Sequence, residues 1–316
     1  MNVERKKTTM SVDQEKRFDG QVAIVTGSSA GMGREHAKLL AARGASVLVN
    51  GLTESAVDET VRIIEDAGGT ATASYDDISV QSGAEALVAS AIDHYGRLDI
   101  LISNAGVYRE VPFADMTFSE FDAVMKVNTY GAFFVTKAAW PHLIDQNYGR
   151  VLLVGSAAGL VSQANASHYA TSKGAIVGLG RTLAAEGAAH GINVNILLPA
   201  AATRMGAKAL STAETDKARE LVQRLMPVSL VAPVAAWLVH RDNTLRGEII
   251  ETGSGRAAVN FTGSGTGFWS ETLSIEDLFE HQQAVLEQDG YRAIKTAPEV
   301  ADWMVENSHW PAEMKV

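Results

Sequence analysis

The sequence predicts an α/β fold, one doubly wound and mainly parallel sheet with helices on both faces. Three observations predict it. Short β-branched runs alternate with longer helical patterns along most of the 316 residues, and parallel strands need such crossover connections. A glycine cluster, Thr26-Gly27-Ser28-Ser29-Ala30-Gly31-Met32-Gly33, follows the first of these runs. The composition, 46% apolar with 20% charged residues, allows a sizeable core.

The first run, Val22–Val25, is apolar throughout and reads as a strand, with a helix after it over 33–43. The pattern then repeats as strand 46–49 with helix 55–67, and strand 70–74 with helix 80–95. It continues through strand 98–102, a long helix over 119–143, strand 151–154, helix 169–190 and strand 192–198. A helix over 233–240 and a last strand over 248–251 complete one doubly wound domain, residues 18–255. Residues 1–17 are rich in charge, lack the apolar segment of a signal peptide, and read as a flexible arm. From residue 256 to 316 the character changes. Gly263, Gly265 and Gly267 precede two helix candidates, with N-cap chemistry at Ser274 before Asp277 and at Thr296 before Pro298 and Glu299. This segment is expected to be a C-terminal helical extension.

The bulk numbers exclude several classes of function. A formal charge of -10 argues against a nucleic-acid partner, which clustered Lys and Arg would have to hold. The longest apolar stretch, 151–161, is too short to span a bilayer. No membrane association is expected. The absence of cysteine excludes disulfides, thiolate metal sites and a Cys nucleophile, and fits a reducing, cytoplasmic location. The eight histidines show no metal-site spacing, so no metal is expected.

A glycine-rich turn between a strand and a helix lets backbone N–H groups approach a pyrophosphate, and the helix N-terminus favours its charge. The spacing Gly27, Gly31, Gly33 differs from the common GxGxxG fingerprint and has Thr26 before it. Downstream stand Asn128, Ser156, Tyr169 and Lys173. Tyr169 and Lys173 are four apart at the start of a helical pattern, which puts both on one helix face. Hydride transfer between a nicotinamide and a carbonyl needs a proton given to, or taken from, the oxygen. For a tyrosine to do this near neutrality its pKa must fall by ~3 units, about 4 kcal/mol of preference for phenolate. A lysine ammonium one turn away has the right sign to contribute. His168 points about 100° away from Tyr169 on such a helix and is not expected to carry the proton.

Together, Thr26-Gly27-x-x-x-Gly31-x-Gly33, Ser103-Asn104-Ala105-Gly106, Asn128, Ser156 and Tyr169-x-x-x-Lys173 resemble the short-chain dehydrogenase/reductase family over residues 18–255. Within it, the stretches 137–140, 148–150 and 231–238 are most similar to the (3R)-hydroxyacyl-CoA dehydrogenase part of peroxisomal multifunctional enzyme type 2. The resemblance implies a Rossmann-type sheet and an NAD- or NADP-dependent alcohol dehydrogenase or ketoreductase. It also implies a homodimer or homotetramer built through the two long helices. Asn128, Ser156, Tyr169 and Lys173 would be catalytic, with Asn128 linked to Lys173 through water and Lys173 also holding the nicotinamide ribose. The cofactor would meet Gly27, Ser29, Gly31, Met32, Gly33, Asn50, Asp77, Ile78, Asn104, Ala105 and Gly106, with Pro199, Ala200 and Thr203 over the nicotinamide. Ser103 and Ala200 depart from the family's usual Asn and Gly.

At the end of the second strand, Asn50-Gly51-Leu52-Thr53 offers neither the acid of an NAD enzyme nor the base of an NADP enzyme. A phosphate without a cation is worse off than two hydroxyls beside Asn50, so NAD is the expected cofactor. Residues 107–109, 161–163 and a lid over 200–225 would wall the substrate pocket. The expected substrate is a secondary alcohol or ketone, with 3-hydroxyacyl thioesters foremost and bulky or steroid-like ketones behind them. A nucleotide-sugar epimerase or dehydratase and a silent nucleotide-sensing binding protein are the rival classes.

Overall fold

The computed structural model describes residues 15–202 and 224–308. β1 (Val22–Val25), α1 (Gly31–Ala42), β2 (Ser46–Asn50), α2 (Glu54–Asp66), β3 (Thr70–Ser74), α3 (Gln81–Tyr95) and β4 (Ile100–Ser103) form the first half. α4 (Phe118–Met125), α5 (Gly131–Asp145), β5 (Gly149–Val154), α6 (Ser167–Gly187) and β6 (Ile192–Ala200) follow. Beyond them come α7 (Ala232–Val239), β7 (Ile249–Gly253) and β8 (Arg256–Asn260). The sheet order is β3-β2-β1-β4-β5-β6-β7-β8, parallel at every pairing from β3 to β7.

The chain winds outward from β1 to β3, then returns and winds the other way from β4 to β7. This reversal leaves a crevice above the carboxyl ends of β1 and β4. Side-chain alternation along each strand feeds two cores. Val22 and Ile24 join Leu87, Val135 and Ile176 on one face, and Ala23 and Val25 join Leu40, Val57 and Leu238 on the other. Both cores are built from the apolar runs that marked the strands, so the helices lie where the crossover argument puts them.

The helix expected over 119–143 is interrupted. Thr117 opens α4 through a capping box with Glu120, but a π-helical turn, Lys126–Tyr130, separates α4 from α5. Such a widened turn commonly sits at a functional position, and here it carries Asn128. Leu98 is fully buried yet precedes β4, because the strand begins only after Asp99, whose carboxylate accepts from Val22 N at 2.9 Å.

A compact unit division falls after Ala258. The second unit contains α8 (Ile275–Glu280), α9 (Gln282–Leu286) and α10 (Ala297–Glu306). Ser274 caps α8 in a capping box with Asp277, and Thr296 caps α10. The unit also holds an antiparallel ribbon of β9 (Thr262–Ser264) and β10 (Arg292–Ile294), which the helical reading did not include. Three-residue strands such as Thr-Gly-Ser carry no alternation to read. Trp303 ties α10 to this ribbon's flank, donating from Nε1 to Gly265 O at 2.9 Å under the Arg292 guanidinium.

One buried group gives the first unit a pH dependence. His36 of α1 is buried, neither ring nitrogen has a partner among the described residues, and desolvation lowers it to about 4. The unfolded chain binds a proton there near pH 6.5, so between pH 6.5 and 4 it takes up a proton that the fold refuses. Stability is therefore intact above pH 6.5 and falls on acidification by about 3 kcal/mol from this group. Urea unfolding of His36→Leu at pH 5 and pH 8 should show a clear gain at pH 5 and a smaller change at pH 8. Equal effects at both values would remove His36 as the source.

Candidate active site

The crevice is built by locking the ends of β1 and β4 together. Thr26 Oγ1 accepts from Asn104 N at 3.0 Å and Ala105 N at 3.1 Å. Asn104 Nδ2 returns to Thr26 O at 3.0 Å and Gly27 O at 3.3 Å. Ser28 Oγ donates to Val25 O and accepts from Asn50 N, joining the glycine turn to β2. Arg34 grips the same turn from α1, with Nη2 at 2.6 Å from Ser29 O and 2.7 Å from Glu59.

Gly27 and Gly31 both have positive φ, +63° and +59°, where an L side chain is strained. α1 begins at Gly31 with no side-chain cap and no acid in its first turn, leaving N–H groups for an anion. A cleft of about 400 Å³ opens beside it. Gly27, Ser29, Gly31, Met32, Gly33, Asn50, Asp77, Ile78, Asn104, Ala105 and Gly106 all line this cleft. So do Leu52 and Asp76, neither of them assigned to cofactor binding from sequence, and Val127 of the π turn. The hydrogen-bonded glycine cradle and uncapped helix fit a dinucleotide.

Tyr169, Lys173, Pro199 and Ala200 do not line that cleft. Pro199 and Ala200 end β6, paired with Thr252 and Gly253. Thr203 and most of the expected lid fall outside the described residues.

Two members of the quartet, Asn128 and Lys173, meet at Gly106 beside the cleft, and Tyr169 and Ser156 adjoin Lys173 and each other. A Cβ at Gly106 would lie 3.3 Å from Asn128 Oδ1 and 3.5 Å from Lys173 Nζ. Lys173 Nζ donates to Val154 O at 2.8 Å, at the end of β5, and sits 5.8 Å from the centre of the Tyr169 ring. Ser156 follows β5 and opens a 3₁₀ turn by accepting from Ala158 N. Asn128 clasps Val107 on both sides, its Oδ1 accepting from Val107 N at 2.7 Å and its Nδ2 donating to Val107 O at 3.0 Å. The same Nδ2 donates to Ser172 Oγ at 3.0 Å. Asn128 therefore acts first as a backbone clamp, a direct role that its expected water link to Lys173 did not include.

Burial raises Tyr169 above the ordinary phenol range, and hydrogen bonding with Ser156 opposes this. Burial of Lys173 lowers it to about 8, which leaves most of it protonated at neutral pH. Asn50 is buried, and its Nδ2 is committed to Ser74 Oγ at 3.1 Å and Asp76 O at 3.0 Å, which ties the end of β2 to the end of β3 and the residues after it. A Cβ at Gly51 would lie 2.9 Å from Ser29 Oγ, so a side chain there would require the Ser29 side chain to shift.

Among the described residues no three His, Cys, Asp or Glu gather to hold a metal, and no helix is long and apolar enough to cross a membrane.

A family model described as short chain dehydrogenase matches residues 21–215. With the sheet, the glycine turn and the quartet in place, the chain belongs to the short-chain dehydrogenase/reductase family, nicotinamide-dependent oxidoreductases of alcohols and ketones. It is 37% identical over 268 residues to a short-chain type dehydrogenase/reductase of Mycobacterium tuberculosis, covering 82% of this chain and 91% of that one. It is 40% identical over 248 residues to peroxisomal multifunctional enzyme type 2 of Mus musculus, covering 76% of this chain but 32% of that protein. The full-length structure of peroxisomal multifunctional enzyme type 2 from Drosophila melanogaster superposes with a TM-score of 0.76 at 28% identity, covering 92% of this chain and 49% of that chain.

Proposed function

We propose that this protein is an NAD-dependent dehydrogenase that interconverts a secondary alcohol and its ketone, with 3-hydroxyacyl thioesters as the substrate class. The observation that carries it is the convergence of Ser156, Tyr169 and Lys173 beside a glycine-cradled cleft. In this reading Ser156 hydrogen-bonds the substrate oxygen, and Tyr169 gives that oxygen its proton on reduction and removes it on oxidation. The nicotinamide supplies or accepts the hydride and, when oxidised, adds the positive charge that favours phenolate. Lys173, anchored on Val154 O, holds its side chain toward the ribose side, and Asn128 keeps the turn after β4 in register. Similarity to multifunctional enzyme type 2 supports the thioester class.

The acidic residues Asp76 and Asp77 line the cleft, while the nearby Arg34 is engaged by Ser29 O and Glu59. Among the described residues a 2′-phosphate would meet no free cation there, which supports NAD. We expect kcat/KM with NAD to exceed that with NADP by roughly 30-fold, about 2 kcal/mol. An NADP preference would overturn the choice.

The substrate class is tested at the nicotinamide absorbance with acetoacetyl-CoA, cyclohexanone and a steroid ketone. The thioester should give the highest kcat/KM; a higher value for either cyclic ketone would replace it. The half-exposed Tyr130 at the end of the π turn and Phe133 in α5, and the open surface at Gly178 of α6, support a homodimer or homotetramer built through these helices.

A further inference from the structure

Tyr108 lies two residues beyond Asn104-Ala105-Gly106 and immediately after the Val107 that Asn128 clamps. Its ring meets the Tyr169 ring edge to face, with centroids 4.9 Å apart and planes at 90°, a favoured aromatic geometry. Its hydroxyl is used twice. It donates to Glu110 Oε1 at 2.7 Å and accepts from Gln163 Nε2 at 2.7 Å. Gln163 belongs to the loop between Ser156 and α6, so this oxygen bridges the loops that follow β4 and β5. A backbone bond from Val111 N to Asn165 O at 2.7 Å ties the same loops again. Ser156 lies in the second of these loops, which leads into α6 and Tyr169.

We propose that Tyr108 is a positioning residue for the reaction: its ring sets the orientation and dryness of Tyr169, and its hydroxyl straps the two substrate-facing loops together through Glu110 and Gln163. This rests on Tyr169 being the acid/base. Tyr108 does not compete for that role. Burial and Glu110 push its own phenol up to about 12, and no lysine stands beside it in the manner of Lys173. Among the described residues, the groups that face Tyr169 are Ser156 from the loop after β5, Lys173 from its own helix and Tyr108 from the loop after β4. Of these three, Tyr108 alone is both uncharged across the working range and free of a direct catalytic assignment.

The two halves of the proposal separate by variant. Tyr108→Phe keeps the ring and removes both hydrogen bonds, and Gln163→Leu removes one of them. With (3R)-hydroxybutyryl-CoA and with cyclohexanol, both variants should raise KM about fivefold while kcat stays within about twofold. Tyr108→Leu also removes the ring. It should lower kcat about tenfold, because a mobile phenol is seldom aligned. Water admitted to Tyr169 should also bring its titration midpoint down.

That midpoint is read without substrate by NMR of protein carrying 13Cζ-tyrosine, the Tyr169 resonance being the one lost in Tyr169→Phe. Affinity for NADH, followed by fluorescence, should be unchanged in all three variants, which separates loop strapping from general damage. An unmoved Tyr169 midpoint in Tyr108→Leu would overturn the ring's role, and an unmoved KM in Tyr108→Phe would overturn the strap. Full turnover in Tyr169→Phe would instead remove the acid/base assignment, while the midpoint shift in Tyr108→Leu would still be read independently.

Discussion

Tyr169→Phe should lower turnover by about 10³-fold or more, roughly 4 kcal/mol of transition-state stabilisation, and leave NADH affinity within about twofold. The substitution deletes one oxygen from a ring that is already mostly buried. The ring's contacts with Tyr108 and Lys173 survive, so the fold and the adjacent cleft have no reason to change. What disappears is the O–H between Ser156 and the substrate oxygen. Without it, reduction must leave an alkoxide in a site that already disfavours charge, as the depressed Lys173 and the raised Tyr169 both indicate. The residual rate would come from holding hydride and carbonyl together. The measurement pairs single-turnover kinetics with fluorescence titration of NADH. Activity close to wild type would exclude Tyr169 as the acid/base, and lost NADH affinity would show that the ring supports the cleft instead.

The fold was legible because its signals are short-range and repeated. β1 and β3 fall where the expected runs fall, and β2, β4, β5, β6 and β7 shift by only a few residues at their ends, whereas β8, β9 and β10 lie in the segment read as helical. The helices between the parallel strands follow from the crossovers those strands require. The glycine turn was legible for a stronger reason. Gly27, Gly31 and Gly33 each answer a backbone constraint that no other residue meets as well, so their spacing carries the geometry directly.

The less legible features depend on contacts between distant residues. Nothing in the 119–143 pattern signals the π turn, whose Asn128 is held to a backbone 21 residues upstream. Asn50 reads as a ribose ligand by position, but the bonds of its Nδ2 to Ser74 Oγ and Asp76 O join residues too far apart in sequence to be read there. Tyr108 was visible as a pocket wall. Its link to Gln163 spans 55 residues and no local pattern encodes it. The phenol's raised pKa is likewise a property of burial, whereas the four-residue spacing to Lys173 speaks only of proximity.

Gly33→Ala should weaken dinucleotide binding by at least about 100-fold, near 2.7 kcal/mol, whereas Gly31→Ala should destabilise the fold only by about 1–2 kcal/mol. The contrast comes from two glycines of one turn facing different surroundings. At Gly33 a Cβ would lie 2.3 Å from Gly27 O and 2.6 Å from Asn104 Nδ2. Neither can retreat alone, because Asn104 is bonded to Thr26 O and Gly27 O and holds the end of β4 against β1. The added methyl must therefore open the turn and swing the first N–H groups of α1 away from the pyrophosphate position. At Gly31 nothing lies within 4 Å of a Cβ, and the only intrinsic cost is its φ of +59°. Any affinity lost in Gly31→Ala beyond that strain would then report direct approach of the dinucleotide to this backbone. Fluorescence titration of NADH and thermal melts on both variants decide the matter. Equal affinities in Gly33→Ala and wild type would mean that the dinucleotide does not rest on this turn, and the cleft would lose its assigned ligand.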